Sequence, residues 1–191
     1  MSNSLSAQHI STNLANYEAA RSGFFSLIVD DIDNIVKASY SGVHEDAADS
    51  DKISKAQEIL KLNVVKAPVP HFSLKKLTYT RGNDQVHFAG VPEFADGEIT
   101  VDDVVGMDTK SILMAWQGLA YNVHTRKGGR MKDYKRTATL CEYTQDFELV
   151  RSWTLHGCWV SNITEDGFDK ENDNKRQIRA TIVYDRAELN D

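Results

Sequence analysis

Apolar side chains of one parity recur along two long segments near the end of this 191-residue chain. A period of two places such residues on one face of a β-strand. In the segment 147–163 the residues that share a parity are Leu149, Trp153, Leu155, Trp159 and Ile163. In the segment 177–185 they are Ile178, Ala180, Ile182 and Tyr184. Both segments therefore predict long antiparallel strands with one buried face, which points to a mainly β fold.

One helix is strongly indicated between the strand-like segments. Over residues 109–123, the apolar residues Ile112, Trp116, Leu119 and Val123 form one stripe at helical spacing. Shorter apolar runs predict further strands at 24–29, 59–65, 72–80, 85–89, 99–105 and 137–143. The predicted architecture is mainly β, an antiparallel β-sandwich or barrel with one packed α-helix. The residues expected in its core are Trp116, Leu119, Trp153, Leu155, Trp159 and Ile182.

The net charge of −6 is unevenly distributed along the sequence. Residues 30–58 hold eight acidic residues and three lysines, so this polar, weakly patterned stretch is interpreted as an acidic insertion. It divides an otherwise continuous domain at residues 23–191, which follows an N-terminal arm at residues 1–22. Residues 126–136 have the opposite bias. Solvated loops are the simple explanation, and ionic contact between the two stretches, within one copy or between copies, is the alternative. The interface candidates are Arg126, Lys127, Arg130, Lys132, Asp46, Asp49 and Asp51.

Composition and motifs argue against several classes of function. The acidic total disfavours a protein that binds nucleic acid phosphates, and no apolar run approaches the roughly 20 residues of a membrane span. The two cysteines are too few for a disulfide scaffold, and the first residues lack the features of a secretory signal. No histidine pair has metal-ligand spacing, and nucleophile-elbow and phosphate-loop motifs are absent. We therefore expect no enzyme activity, no metal and no cofactor.

Short motifs occur in a recognisable order along most of the chain. They are the strand Phe24-Phe25-Ser26-Leu27-Ile28-Val29, the turn Ala67-Pro68-Val69-Pro70, the helix containing Trp116, the strand opening Tyr134-Lys135-Arg136, the segment Gly157-Cys158-Trp159 and the closing pair Tyr184-Asp185. In this order they resemble the tail tube protein of contractile-tailed bacteriophages. Two features depart from that pattern, namely the length of residues 30–58 and Val160 at a position where proline is usual.

The resemblance implies a phage tail tube fold and a structural subunit of the virion. Such subunits form hexameric rings that stack into a hollow tube inside a contractile sheath. The implied partners are other copies of the chain, the tail sheath protein, the baseplate hub, the tail terminator and a tape-measure protein in the lumen. Double-stranded DNA would pass through the lumen without specific binding. The tube would be assembled in the host bacterial cytoplasm and would have no stable membrane anchor.

Other functions remain open on sequence grounds. The chain could be the tube subunit of a related device, a tailocin or a type VI secretion system. A monomeric β-barrel binding protein would have the same number of strands but would require a defined cavity. An enzyme that uses His156 with acidic partners is the least favoured alternative.

Overall fold

The computed structural model describes residues 22–40, 55–104, 109–167 and 175–190, which form eleven strands and four helices. The strands are β1 (Phe25–Val29), β2 (Val64–Lys66), β3 (Phe72–Arg81), β4 (Asp84–Phe94), β5 (Gly97–Asp102), β6 (Tyr121–Asn122), β7 (Lys127–Gly128), β8 (Arg136–Tyr143), β9 (Leu149–Glu165), β10 (Gln177–Val183) and β11 (Arg186–Asn190). The helices are α1 (Ile32–Tyr40), α2 (Ala56–Asn63), α3 (Thr109–Ala120) and α4 (Met131–Tyr134). The predicted mainly β, antiparallel fold is confirmed, with more helices than the one predicted.

Seven strands form one curled antiparallel sheet around β9. The order is β1–β8–β9–β10–β5–β2, and β11 also pairs with β9. The first half of β9 lies between β8 and β11, whereas its second half pairs with β10. This 17-residue strand therefore belongs to two smaller sheets that share it.

Gly157 marks the position where β9 passes from one half of the sheet to the other. Its φ is +70°, a left-handed conformation that a residue with a Cβ rarely adopts. An added Cβ would also overlap the carboxylate of Asp185. That carboxylate accepts hydrogen bonds from Lys135 Nζ at 2.8 and 2.7 Å, while the Asp185 N–H donates to the His156 carbonyl at 2.9 Å. Asp185 therefore holds the bend through its side chain, which binds Lys135, and through its backbone, which binds His156.

The apolar alternation along β9 changes parity at this bend. Leu155 is buried before it, and Cys158 and Val160 are buried after it. Trp159 is paired with Val183 and lies edge-on to Tyr134, with 5.7 Å between ring centroids. The prediction that one parity is buried over the whole segment is therefore wrong, because the left-handed residue shifts the alternation. Leu149, at the start of the strand, is exposed.

The remaining core candidates lie where the helices meet the sheet. Trp116 and Ile182 are buried, and Leu119 and Trp153 are partly buried against the core. The indole Nε1 of Trp116 donates to the carbonyl of Tyr134 at 2.8 Å, which attaches α3 to the segment before β8. Helix α3 ends at Ala120, so Val123 lies beyond it and is exposed. The helix is thus shorter than predicted.

The acidic stretch contributes to the core at its start, which the sequence did not indicate. Ile32, Ile35 and Val36 of α1 are buried at the helical spacing i, i+3, i+4. The Asp33 carboxylate accepts a hydrogen bond from the N–H of Gln57 at 3.1 Å, in the first turn of α2. The start of this stretch is therefore a patterned helix, whereas the sequence indicated only weak patterning there. Residues 41–54, with Asp46, Asp49 and Asp51, lie outside the described residues, as do residues 1–21 of the expected arm.

The predicted strand at 59–65 is largely a helix. Ala56, Ile59, Leu60 and Asn63 of α2 are buried, which is a helical period, whereas Leu62 is exposed. Only Val64–Lys66 forms a strand. The Asn63 side chain donates to Thr109 Oγ1 at 3.0 Å and ties the end of α2 to the start of α3. The alternating pattern at Leu60, Leu62 and Val64 was misleading because α2 passes directly into β2.

We predict that Gly157→Ala destabilises the fold by about 1–3 kcal/mol, through the left-handed φ and the displacement of Asp185. The matched control is Gly118→Ala in α3, where an added Cβ meets no atom within 4 Å. That change should stabilise the fold by up to about 1 kcal/mol. Urea denaturation followed by circular dichroism measures both. Equal free energies of unfolding for Gly157→Ala and the wild type would contradict the role of the bend.

A second prediction concerns the acid stability of the contact between α3 and the end of β9. Glu165 binds Lys110 Nζ at 2.7 Å and also contacts Arg176, and the hydrogen bond from Lys110 is the main reason that the pKa of Glu165 is lowered. Its stabilising contribution is therefore present above the ordinary value of 4.5 and is lost as the pH falls towards the folded-state pKa.

Glu165→Gln should lower the free energy of unfolding at neutral pH and flatten its decrease below pH 4.5. Denaturation curves at a series of pH values test this. The control is Glu98→Gln on β5, because Glu98 is exposed and has no ion pair within the described ranges. The same pH profile for Glu165→Gln and the wild type would be inconsistent with the prediction.

Candidate assembly surfaces

The hairpin of β3 and β4 extends from the body of the molecule. Each strand pairs only with the other, and every residue of the two strands is exposed except the half-buried Gly90 and Phe94. Gly82, with a φ of +65°, and Asn83 form the two-residue turn. With ten residues, β3 is about 33 Å long. The sequence predicted both strands but not their separation from the main sheet.

The base of the hairpin is held by aromatic contacts to the core. The rings of Phe72 and Phe94 lie 5.7 Å apart, and Phe94 is 6.1 Å from the ring of the buried Tyr184. Burial is also the main reason that the pKa of Tyr184 is raised. The hairpin is therefore anchored at one end and free of described neighbours at the other.

A β-bulge transfers the apolar side chains from one face of the hairpin to the other. The register shifts between Leu74 and Lys76, leaving Lys75 opposite an extra residue of β4. Gly90 is required there, since an added Cβ would lie 2.6 Å from the carbonyl oxygen of Lys75. Phe72 and Leu74 share one face before the bulge, and the large apolar residues beyond it occupy the opposite face.

Beyond the bulge, four apolar side chains form a surface that we call the tip face. Leu77 is paired with Phe88 and Tyr79 with Val86, and 49–61% of each residue is exposed. The reverse face is polar and includes the pair Thr78 and His87, joined by a 3.2 Å contact between Oγ1 and Nδ1. A two-stranded hairpin is marginally stable alone, and a contiguous apolar patch is typical of an interaction site. The tip face is therefore a candidate contact surface.

A second apolar cluster lies at the far end of the first half of β9. Phe147 and Leu149 are exposed there, and the ring of Phe24 packs edge-on against Phe147 at 5.9 Å. The eight residues from Leu149 to the bend at Gly157 span about 26 Å. The hairpin is instead anchored beside Tyr184, so the tip face and this cluster, which we call the end patch, lie on different elements of the fold.

The basic stretch divides into structural residues and residues without an ionic partner. Lys135 binds Asp185, and Arg136 Nη1 donates to the carbonyls of Lys132 and Lys135 at 3.1 and 2.8 Å. The other four cations are exposed, and none forms an ion pair with any residue in the described ranges. We call them the basic surface: Arg126, Lys127, Arg130 and Lys132.

Two residues of the basic surface, Lys127 and Lys132, line an open cleft of about 440 Å³ beside the C-terminal end of α3. Gly128, Gly129 and the acidic Asp133 line it as well. Gly129 allows close packing here, because its N–H donates to the Ala120 carbonyl at 2.9 Å and a Cβ would overlap the backbone of Leu119. The predicted acidic counterparts Asp46, Asp49 and Asp51 lie outside the described residues.

Two described residues that could support chemistry, Cys158 and His156, are not arranged for it. Burial raises the pKa of the Cys158 thiol to about 12, which disfavours the nucleophilic thiolate. His156 Nε2 lies 3.3 Å from Glu188, on a strand face where Glu188 also binds Arg186 at 3.1 Å. Among the described residues, no group of three or more histidine, cysteine or acidic side chains could hold a metal. In the same ranges, no helix has the length and apolar character needed to cross a membrane.

Solved structures with a similar fold come from contractile injection systems. A chain of the sheath–tube complex of PVC, an extracellular contractile injection system in its extended state, has a TM-score of 0.62 at 12% identity and covers 97% of both chains. The PVC sheath/tube terminator has a TM-score of 0.63 at 13% identity, with 92% of this chain and 99% of that chain covered. The chain has the contractile-tail tube protein fold.

A third tube-fold structure, the tube terminating cap of the anti-feeding prophage, has a TM-score of 0.62 at 10% identity, with coverage of 91% of this chain and 92% of that one. No protein-family model matches the sequence, and comparison with curated proteins found no match. The fold is therefore recognised from structure, and the order of motifs in the sequence predicted it.

Proposed function

We propose that this chain is the structural subunit of the tube of a contractile injection apparatus. In this proposal, six copies form a ring and rings stack into a hollow tube within a contractile sheath. The observation that carries it is the pair of exposed apolar surfaces, the tip face and the end patch, on a fold shared with tube assemblies.

Two different apolar surfaces on one chain favour head-to-tail association. The tip face of one copy would contact the end patch of the next copy, so each copy would give one contact and receive one. Heterologous contacts of this kind form closed rings or open filaments rather than simple dimers. A tube of stacked rings requires such directional contacts, and burial of the four tip-face side chains would supply apolar area to the interface.

The alternatives considered from the sequence are less well supported. A β-barrel carrier would hold its ligand inside the sheet, but among the described residues the apolar void between Leu27, Trp116 and Ile182 is only about 20 Å³, roughly enough for one water molecule. An enzyme requires an activated group, but Cys158 is a protonated buried thiol and His156 contacts Glu188 on a half-exposed strand. A structural role agrees with both observations.

The proposal extends to partners and cargo. The tube would contact a sheath protein along its length, a baseplate hub at one end and a terminator at the other. In a phage virion its lumen would hold a tape-measure protein during assembly in the host bacterial cytoplasm and would later pass double-stranded DNA. In a phage-derived device, such as a tailocin or a type VI secretion system, the lumen would serve other cargo. Electron microscopy of particles from the producing bacterium separates these roles, because DNA-filled heads are expected only for the virion.

We predict that the double variant Leu77→Ser/Phe88→Ser fails to assemble because it removes the centre of the tip face. Light scattering and negative-stain electron microscopy of purified protein would show six-fold rings or tubes for the wild type only. The matched control is Thr78→Ser/Gln85→Ser on the polar face of the same hairpin, which should assemble normally.

The monomer should remain folded in the tip-face variant. Both side chains are exposed, so its free energy of unfolding should change by less than about 1 kcal/mol. Tubes formed by the tip-face variant at wild-type concentrations would contradict the proposed contact. A wild-type chain that stays monomeric at high concentration, with baseplate present, would contradict the proposed function itself.

A further inference from the structure

We propose that the basic surface of each copy binds the acidic segment of a second copy, residues 45–51, and that this ionic contact controls assembly. The inference rests on the proposed function and adds a specific partner for one surface. It assigns a role to four cations that the fold does not use.

Within residues 126–136, some cations hold the fold together and others have no ionic partner among the described residues. Lys135 and Arg136 are half-buried and hold the corner beside Asp185, and Arg136 also lies 3.8 Å from Asp31. The basic surface, in contrast, stays exposed and without an ion pair in the described ranges, although Asp133 lies in the same stretch. Its charge is therefore available to a partner.

The local backbone holds these cations close together. The β6–β7 turn is kept tight by Arg126, whose φ is +55°, and by Asn122, whose Oδ1 accepts from the N–H of Thr125 at 2.9 Å. The Gly129 N–H bond to Ala120 fixes the turn against α3. Lys127 and Lys132 thus line one open cleft of about 440 Å³, which is accessible to a second copy.

The chain also contains an acidic segment whose charge is complementary to that of the basic surface. Residues 45–51 contain Glu45, Asp46, Asp49 and Asp51 and no basic residue, so their four charges match the four of the basic surface. Opposite charges on two surfaces of the same chain favour association between copies and fix its register. The contact would repeat at every copy, so weak exposed pairs would add up over a ring.

The test uses two charge reversals in the full-length chain. The first variant is Arg126→Glu/Lys127→Glu/Arg130→Glu, and the second is Asp46→Lys/Asp49→Lys/Asp51→Lys. Each alone should raise the critical concentration for assembly by about tenfold or more at low salt. An equimolar mixture should restore assembly, because each variant then finds an opposite charge on its neighbour. A single chain that carries both reversals should also assemble, because every copy then presents the pair of charges with signs exchanged.

The matched control for the first variant is Lys55→Glu/Lys61→Glu/Lys66→Glu. It changes the net charge by the same amount, at exposed positions that do not line the cleft. It should assemble within about twofold of the wild-type critical concentration. Circular dichroism and thermal unfolding check that every variant is folded.

Three results would overturn the inference. Normal assembly of either single-sided variant at low salt would show that the contact is not needed. Recovery only when both reversals are in one chain, with no recovery in the mixture, would place the contact within a copy. Failure of both rescues would assign the loss to another cause. Wild-type protein that never assembles would instead overturn the proposed function, and this inference with it.

Discussion

The left-handed bend of β9 at Gly157 is the constraint on which the rest of the structure depends. It lets one long strand pair with β8 and β11 before the bend and with β10 after it. The space that a side chain would occupy is filled by Asp185, whose carboxylate is held by Lys135. A straight strand would keep one parity buried throughout, and Cys158 and Val160 would then face away from the core.

The curled sheet also determines which surfaces remain exposed. Helices α1, α2 and α3 pack against one another and the sheet, joined by contacts such as the hydrogen bond from Asn63 to Thr109. The β3–β4 hairpin cannot join that layer, because it leaves the body after the Phe94–Tyr184 contact and changes its apolar face at the bulge. No other described element covers the tip face, so its burial against a neighbouring copy would link the geometry of the fold to assembly.

The sequence predicted the elements whose apolar residues recur at a regular period. It missed those whose apolar period is hidden by acidic or polar residues. Strands β1, β5, β8 and β10 and the buried Trp116 of α3 follow directly from local pattern. Helix α1 was hidden by surrounding acidic residues, and β11 by its polar sequence. At the candidate site, the basic stretch was visible as charge, but only the structure separates Lys135 from the basic surface. Pro92 within β4 was a signal for an unpaired hairpin edge, since proline is confined to such strands.

The central claim is that this chain completes its apolar surface by joining other copies of itself. Cryo-electron microscopy of wild-type protein at concentrations that permit assembly tests it most directly. The account predicts stacked six-fold rings around an open lumen, with the tip face of each hairpin buried against a neighbouring copy. A reconstruction in which assembled copies leave Leu77 and Phe88 in solvent, or a sample that contains only monomers, would contradict it.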